Sequence, residues 1–132
     1  MEKLPLFDLN VKDTNKTPAV NFSKSGHLSI SGRALPEDAG IFFKPLLKWA
    51  ESYVLEPAPE TIVDIKLEYF HSGVFMYLRE ILMKLCSIKN EGHLLSINWY
   101  YEKGDDESAY QAKELSYKLN FEFNLVEVES ME

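Results

Sequence analysis

A chain of 132 residues with 45% hydrophobic and 27% charged side chains suits one compact domain with an apolar core of its own, far from disordered compositions. Its formal charge of −7, with 14 scattered Lys and Arg residues, excludes a surface built for nucleic acid or an anionic membrane, since both require clustered basic side chains. The one cysteine, Cys86, excludes an internal disulfide and points to a reducing compartment. With no 18-residue apolar stretch and no basic-then-apolar leader, a cytoplasmic protein is expected.

Residues 1–16 are polar and aperiodic, and are expected to form a flexible tail or an added edge segment ahead of a single domain spanning 17–132. PAVNFS, KSG and HLSISG then read as a hairpin with Ser25 and Gly26 in the turn. Pro36, Glu37 and Asp38 open a helix, with acidic residues where the dipole favours them. Phe42, Leu46, Trp49 and Tyr53 recur along it at helical spacing as a buried stripe, and Pro45 inside the pattern should kink the helix or mark where its regular turns begin. Pro57 and Pro59 end it, and TIVDIKLEYF follows as a strand in which Val63, Ile65, Leu67 and Tyr69 alternate with polar residues. A second helix runs from about Ser72 to Lys89, stopped by Asn90, Glu91 and Gly92. HLLSINWYY is the next strand, residues from about Asp106 to Leu119 form a third helix, and FEFNLVEV is the last strand.

Strands joined by crossover helices with both faces covered read as continuous apolar runs. These strands alternate instead, which leaves one sheet face partly open to water. Right-handed crossovers that all lie on one side force parallel strands to follow one another in sequence order. The expected fold is therefore α/β, a five-stranded, mostly parallel mixed sheet of order 1-2-3-4-5 with the first strand antiparallel and three main helices on one face.

Catalytic chemistry is not evident. There is no phosphate-cradling Gly-rich loop, no GxGxxG after a strand and no HExxH helix. His27, His71 and His93 fall in separate elements, and Cys86 sits on a helix flank as a packed small residue. No enzyme, metal or cofactor is expected. One local feature stands out: the strand ending at Tyr69 and Phe70 passes through His71 into Ser72, which stands where a helix N-cap belongs. A plain capping serine explains it. A phosphate there would equally meet free backbone N–H groups and the positive end of a helix dipole, at the carboxyl end of a central strand. Behind it, Val74, Leu78, Ile81, Leu85 and Ile88 fall on one arc that must face the sheet, while Ser72, Met76, Arg79 and Met83 share the opposite side. Methionines on a solvent-facing stripe suit a protein-binding surface, because the side chain adapts to varied partners. On the third helix Ser108, Ala112, Leu115 and Leu119 look inward, which leaves Tyr110 and Tyr117 outward as a weaker hint of the same kind.

Several stretches together resemble one family. They are Thr17-Pro18-Ala19-Val20, Gly26-His27-Leu28-Ser29-Ile30-Ser31-Gly32, Pro36-Glu37, Leu46-Leu47-Lys48-Trp49, Leu67-Glu68-Tyr69-Phe70, the Ser72 helix start and Ile97-Asn98-Trp99-Tyr100-Tyr101. In this order they resemble the SiaC family of bacterial regulatory phosphoproteins, which are similar to STAS domains, the anti-sigma-factor antagonists. The resemblance covers Thr17 to about Val126 and implies a STAS-like fold. It also implies a switch: a Ser/Thr kinase phosphorylates a hydroxyl at the strand-to-helix junction, a PP2C-type phosphatase removes the phosphate, and the unmodified form binds and activates a partner, typically a diguanylate cyclase that makes cyclic di-GMP. The family's junction usually reads like Asn-Thr-Ser-Ser; here it is His71-Ser72-Gly73-Val74, with Ser72 on the acceptor position. His71 and Gly73 beside that hydroxyl, with Met76, Arg79 and Met83, make up the expected partner surface. Two other readings stay open: a STAS-type antagonist that sequesters an anti-sigma kinase in partner switching, and a constitutive protein-binding subunit in which Ser72 is only a cap.

Overall fold

The structure is a computed structural model that describes residues 6–131. Its elements follow as β1 (Leu9–Val11), β2 (Ala19–Phe22), β3 (His27–Ala34), α1 (Ala39–Tyr53), β4 (Glu60–Phe70), α2 (Ser72–Cys86), β5 (Leu94–Glu102), α3 (Asp106–Lys118) and β6 (Asn124–Val128). A 3-10 turn at Ser87–Glu91 extends α2, and Gly92 ends it in the left-handed conformation. The strands form one sheet in the order β1-β2-β3-β4-β5-β6. β1 pairs antiparallel with β2, β2 antiparallel with β3, and β3 to β6 are parallel.

The order is sequential, as one-sided right-handed crossovers require, but the described residues hold six strands rather than five. The antiparallel strand is therefore the second, β2, and β1 at the edge runs in the same sense as β3. The extra strand comes from Leu9-Asn10-Val11, a run too short to stand out against its polar neighbours. Leu9 and Val11 pack against the core and Asn10 points to solvent. The first five residues of the expected 1–16 segment lie outside the described residues.

The register explains where the core sits. Phe22 lies opposite Leu28, Leu28 beside Val63 and Val63 beside Ile97, while Ile30, Ile65 and Trp99 form the next row. All are buried, and they share one cluster with Phe43 and Leu46 of α1, Val74 and Leu78 of α2, and Ala112 and Leu115 of α3. The three helices thus cover one face. The other carries a polar ladder. His27 Nε2 and Asn98 Nδ2 donate to the two oxygens of Asp64 (2.8 and 2.9 Å), and Asn124 Nδ2 donates to Asn98 Oδ1 (2.9 Å). The Lys66 ammonium lies 4.4 Å from the Tyr100 ring centre.

Two local readings change. α1 begins at Ala39, because Asp38 is its cap and accepts the Ile41 N–H at 3.1 Å; Pro36, Glu37 and Asp38 precede the helix rather than open it. Its buried face is Phe43, Leu46, Trp49, Ala50 and Tyr53, with Phe42 half-buried and edge-on to Phe43. The helix is continuous through Pro45, which sits exposed on the outer side. In β4, Gly32 pairs with Leu67 but Arg33 with Tyr69, so Glu68 is an extra residue in a bulge. A bulge reverses the inward–outward alternation beyond it. Tyr69 is thereby 56% exposed rather than core, and Phe70 turns inward, stacked on Phe75 (6.2 Å) and edge-on to Trp99 (5.9 Å). Among the described residues no helix is long and apolar enough to cross a membrane.

Candidate functional site

Packing of Phe70 fixes the end of β4 and makes residue 71 the last extended position, at φ −100° and ψ 174°. His71, not Ser72, is therefore the N-cap of α2. Its Nδ1 accepts the Gly73 N–H at 3.1 Å, and its carbonyl accepts the Phe75 N–H at 3.1 Å. Imidazole seldom appears among capping residues, so the serine beside it looked the better candidate from the sequence. Ser72 is instead the first helical residue. It is exposed, and its hydroxyl makes no hydrogen bond among the described residues. No acidic side chain occupies the first turn to offset the positive end of the dipole.

Gly73 lies under the imidazole: a Cβ placed there would come 3.1 Å from His71 Cε1 and 3.2 Å from Nδ1, and 3.8 Å from Ala39 Cβ. The starts of α1 and α2 are thus neighbours, and Gly40 keeps room for the Tyr77 hydroxyl, which a Cβ would meet at 2.9 Å. Along α2 the inward arc of Val74, Leu78, Ile81, Leu85 and Ile88 is buried, joined by Leu82 and Cys86. On the outward side Met76 is 50% and Met83 46% exposed; Arg79 between them is half-buried, with its guanidinium 3.9 Å from Glu80. Ser72, Met76, Arg79 and Met83 therefore follow one stripe, one helical turn apart.

Beside the junction opens a cleft of about 310 Å³ between the ends of β3 and β4 and the start of α3. Leu35, Tyr69, Phe70 and His71 supply its apolar and aromatic walls, and Glu68, Asp105 and Glu107 its carboxylates. Arg33 partly balances them, 3.6 Å from Glu68 and 5.8 Å from the centre of the Tyr69 ring. This cleft was not foreseen, because it depends on the bulge at Glu68. The only trace of that bulge in the sequence is Gly32 in the partner strand.

The three histidines stay apart: His27 binds Asp64, His71 caps α2, and the ring of His93 lies 3.2 Å from the Ala58 carbonyl. No group of three or more His, Cys, Asp or Glu side chains suited to a metal forms among the described residues. Burial pushes the Cys86 thiol up to about 11, with Lys89 opposing, so it remains protonated at neutral pH. Asp105, Asp106 and Glu107 belong to the α3 start, where Asp105 accepts the Ser108 N–H at 3.1 Å.

An open-faced α/β domain with an exposed hydroxyl at a central strand-to-helix junction, followed by an exposed methionine stripe, has the make-up of a regulatory, protein-binding module. The SiaC family regulatory phosphoprotein model matches residues 11–128, and the chain belongs to that family. A protein of Pseudomonas aeruginosa (strain UCBPP-PA14) is 26% identical over 117 residues, covering 88% of this chain and 93% of that protein. The structure of apo-SiaC from Pseudomonas aeruginosa matches at a TM-score of 0.79 with 25% identity, over 90% of this chain and 98% of that one. A chain in the crystal structure of the diguanylate cyclase SiaD in complex with its activator SiaC, from the same organism, matches in fold at 0.83 with 24% identity, over 92% and 100% of the two chains.

Proposed function

We propose that this chain is a non-enzymatic, cytoplasmic phospho-switch whose unmodified form binds and activates a diguanylate cyclase. In this reading a Ser/Thr kinase phosphorylates Ser72 and a PP2C-type phosphatase restores the hydroxyl. The observation that carries it is the free, exposed hydroxyl of Ser72 on the first turn of α2, in line with exposed Met76 and Met83. Membership of the SiaC family supports the regulatory class, and the pairing of SiaC with SiaD in a related structure supports the kind of partner. The sequential sheet is in keeping with a STAS-like fold.

Phosphorylation adds about −1.5 to −2 charges at pH 7. On the uncompensated N-terminus of α2 the fold tolerates them, gaining roughly 0.3–1 kcal/mol from the dipole. At a partner interface that covers Ser72, Met76, Arg79 and Met83, a desolvated dianion without a matched cation is costly, so the phosphate releases the partner. The test is partner affinity for the unmodified, phosphorylated and Ser72→Ala proteins, measured beside their melting temperatures. The switch requires tight binding by the first and third and weak binding by the second at similar melting temperatures. Equal affinities reduce Ser72 to an ordinary helix residue.

A further inference from the structure

We propose that His71 is a proton-operated cap that couples the phosphate state of Ser72 to pH, an inference that rests on Ser72 being the modified residue. The imidazole Nδ1 accepts the Gly73 N–H at 3.1 Å, and it can do so only while unprotonated, because both ring nitrogens of an imidazolium are donors. The ring also lies directly on Gly73, against atoms that any Cβ would crowd. Neutral His71 therefore occupies one backbone N–H at the start of the helix that bears Ser72.

The imidazole has a second environment within reach. His71 lines the cleft that holds Glu68 from β4 and Asp105 and Glu107 from α3. Glu68 is shared with Arg33 of β3 at 3.6 Å, and Asp105 already holds the Ser108 N–H. From α1, Ala39 borders the same space over Gly73 as the ring, and the neighbouring Asp38 carboxylate is taken up by the Ile41 N–H. A ring that gains a proton loses the Gly73 bond and gains an acidic cleft to face. The released Gly73 N–H is then open to a phosphate on the adjacent residue, and the imidazolium is a cation one residue away from it. Protonation and phosphorylation favour each other, and by linkage each must strengthen the other equally.

NMR titration of the full chain tests this in three forms: unmodified, carrying phosphoserine at position 72, and His71→Asn. Asparagine is a good cap with no proton to gain. In the unmodified protein the Gly73 amide resonance should move with the His71 ring signal, and in His71→Asn it should stay flat across the same range. With phosphate on Ser72 the midpoint of the His71 ring signal itself should rise by about one pH unit, as expected for a neighbouring opposite charge; it is read on the ring because the phosphate ionises near pH 6 and moves nearby amides on its own. A Gly73 resonance that ignores the ring overturns the proton-operated cap, and a midpoint that phosphate leaves in place overturns the coupling. Neither result bears on whether phosphate releases the partner, which the affinity measurement at fixed pH decides separately.

Discussion

The helices that follow β4 and β5 start at the same end of the sheet and are built differently. At α3 the cap is a carboxylate, Asp105, and Asp106 and Glu107 fill the first turn, so the positive end of the dipole is already met. Its serine, Ser108, is buried at 5% exposure and accepts the Trp99 indole N–H at 3.0 Å. At α2 the cap is an imidazole nitrogen, the first turn has no acid, and its serine is exposed, with no hydrogen bond to its hydroxyl among the described residues. One junction is closed by its own side chains, and the other leaves both a hydroxyl and an anion-favouring helix end unused. Two serines at equivalent-looking strand-to-helix turns are thus placed oppositely: Ser108 is bonded into the core, and Ser72 is exposed to solvent.

The largest effect expected from this contrast is at Trp99, which ties the closed junction to the core. The indole meets Phe70 edge-on and stacks on Phe123 at 6.5 Å, and it is 1% exposed. Trp99→Ala should cost about 3–5 kcal/mol, read as a drop in denaturant midpoint. Next comes Ser108→Ala, which removes the acceptor from a buried indole N–H and should cost about 1–3 kcal/mol. A loss below about 0.5 kcal/mol would mean that water reaches the indole, and that the α3 junction is less closed than its burial suggests.

How far the two junctions could be read from the sequence follows the same physics. Sheet order and the inward arcs of α2 and α3 were legible, because periodicity and crossover handedness act over many residues and tolerate local error. The closed junction was legible in kind: the third helix begins at Asp106 as expected, and Ser108, Ala112 and Leu115 lie on its inner side. At the open junction Ser72 and its stripe with Met76, Arg79 and Met83 were visible, but the cap was misplaced by one residue. That error traces to Phe70, whose inward turn follows from the bulge at Glu68. Bulges leave almost no mark in a single sequence, so Tyr69 looked like core and the cleft beside His71 went unseen. The edge strand Leu9–Val11 was hidden for another reason: three residues are too few to show alternation, and only pairing with β2 makes them a strand.

A sharper form of the comparison concerns the helix surface that follows the open junction. Met76 and Met83 are about half exposed, so truncation leaves the monomer almost unchanged. Met76→Ala and Met83→Ala should each weaken binding of the proposed cyclase partner by about 1 kcal/mol or more, roughly fivefold in Kd, with melting temperatures close to the parent. Tyr110→Ala on α3, 62% exposed but behind the closed junction, should leave that affinity within twofold. An equal loss at Tyr110 would move the partner surface off α2.

The smallest expected stability effect is the most discriminating. A serine that caps a helix through its side chain costs about 1 kcal/mol when replaced by alanine. In this chain the Gly73 N–H belongs to His71, and the Ser72 hydroxyl holds nothing among the described residues. Alanine at the first helical position also carries a slightly better helix propensity than serine. Ser72→Ala should therefore change stability by no more than about 0.5 kcal/mol in either direction, while His71→Ala, which removes the actual cap, should cost about 1 kcal/mol at pH 8. Denaturant titrations of the three proteins measure these differences. If Ser72→Ala costs more than His71→Ala, the serine is the cap, its hydroxyl is committed to the fold, and a kinase would have to break a structural hydrogen bond to reach it.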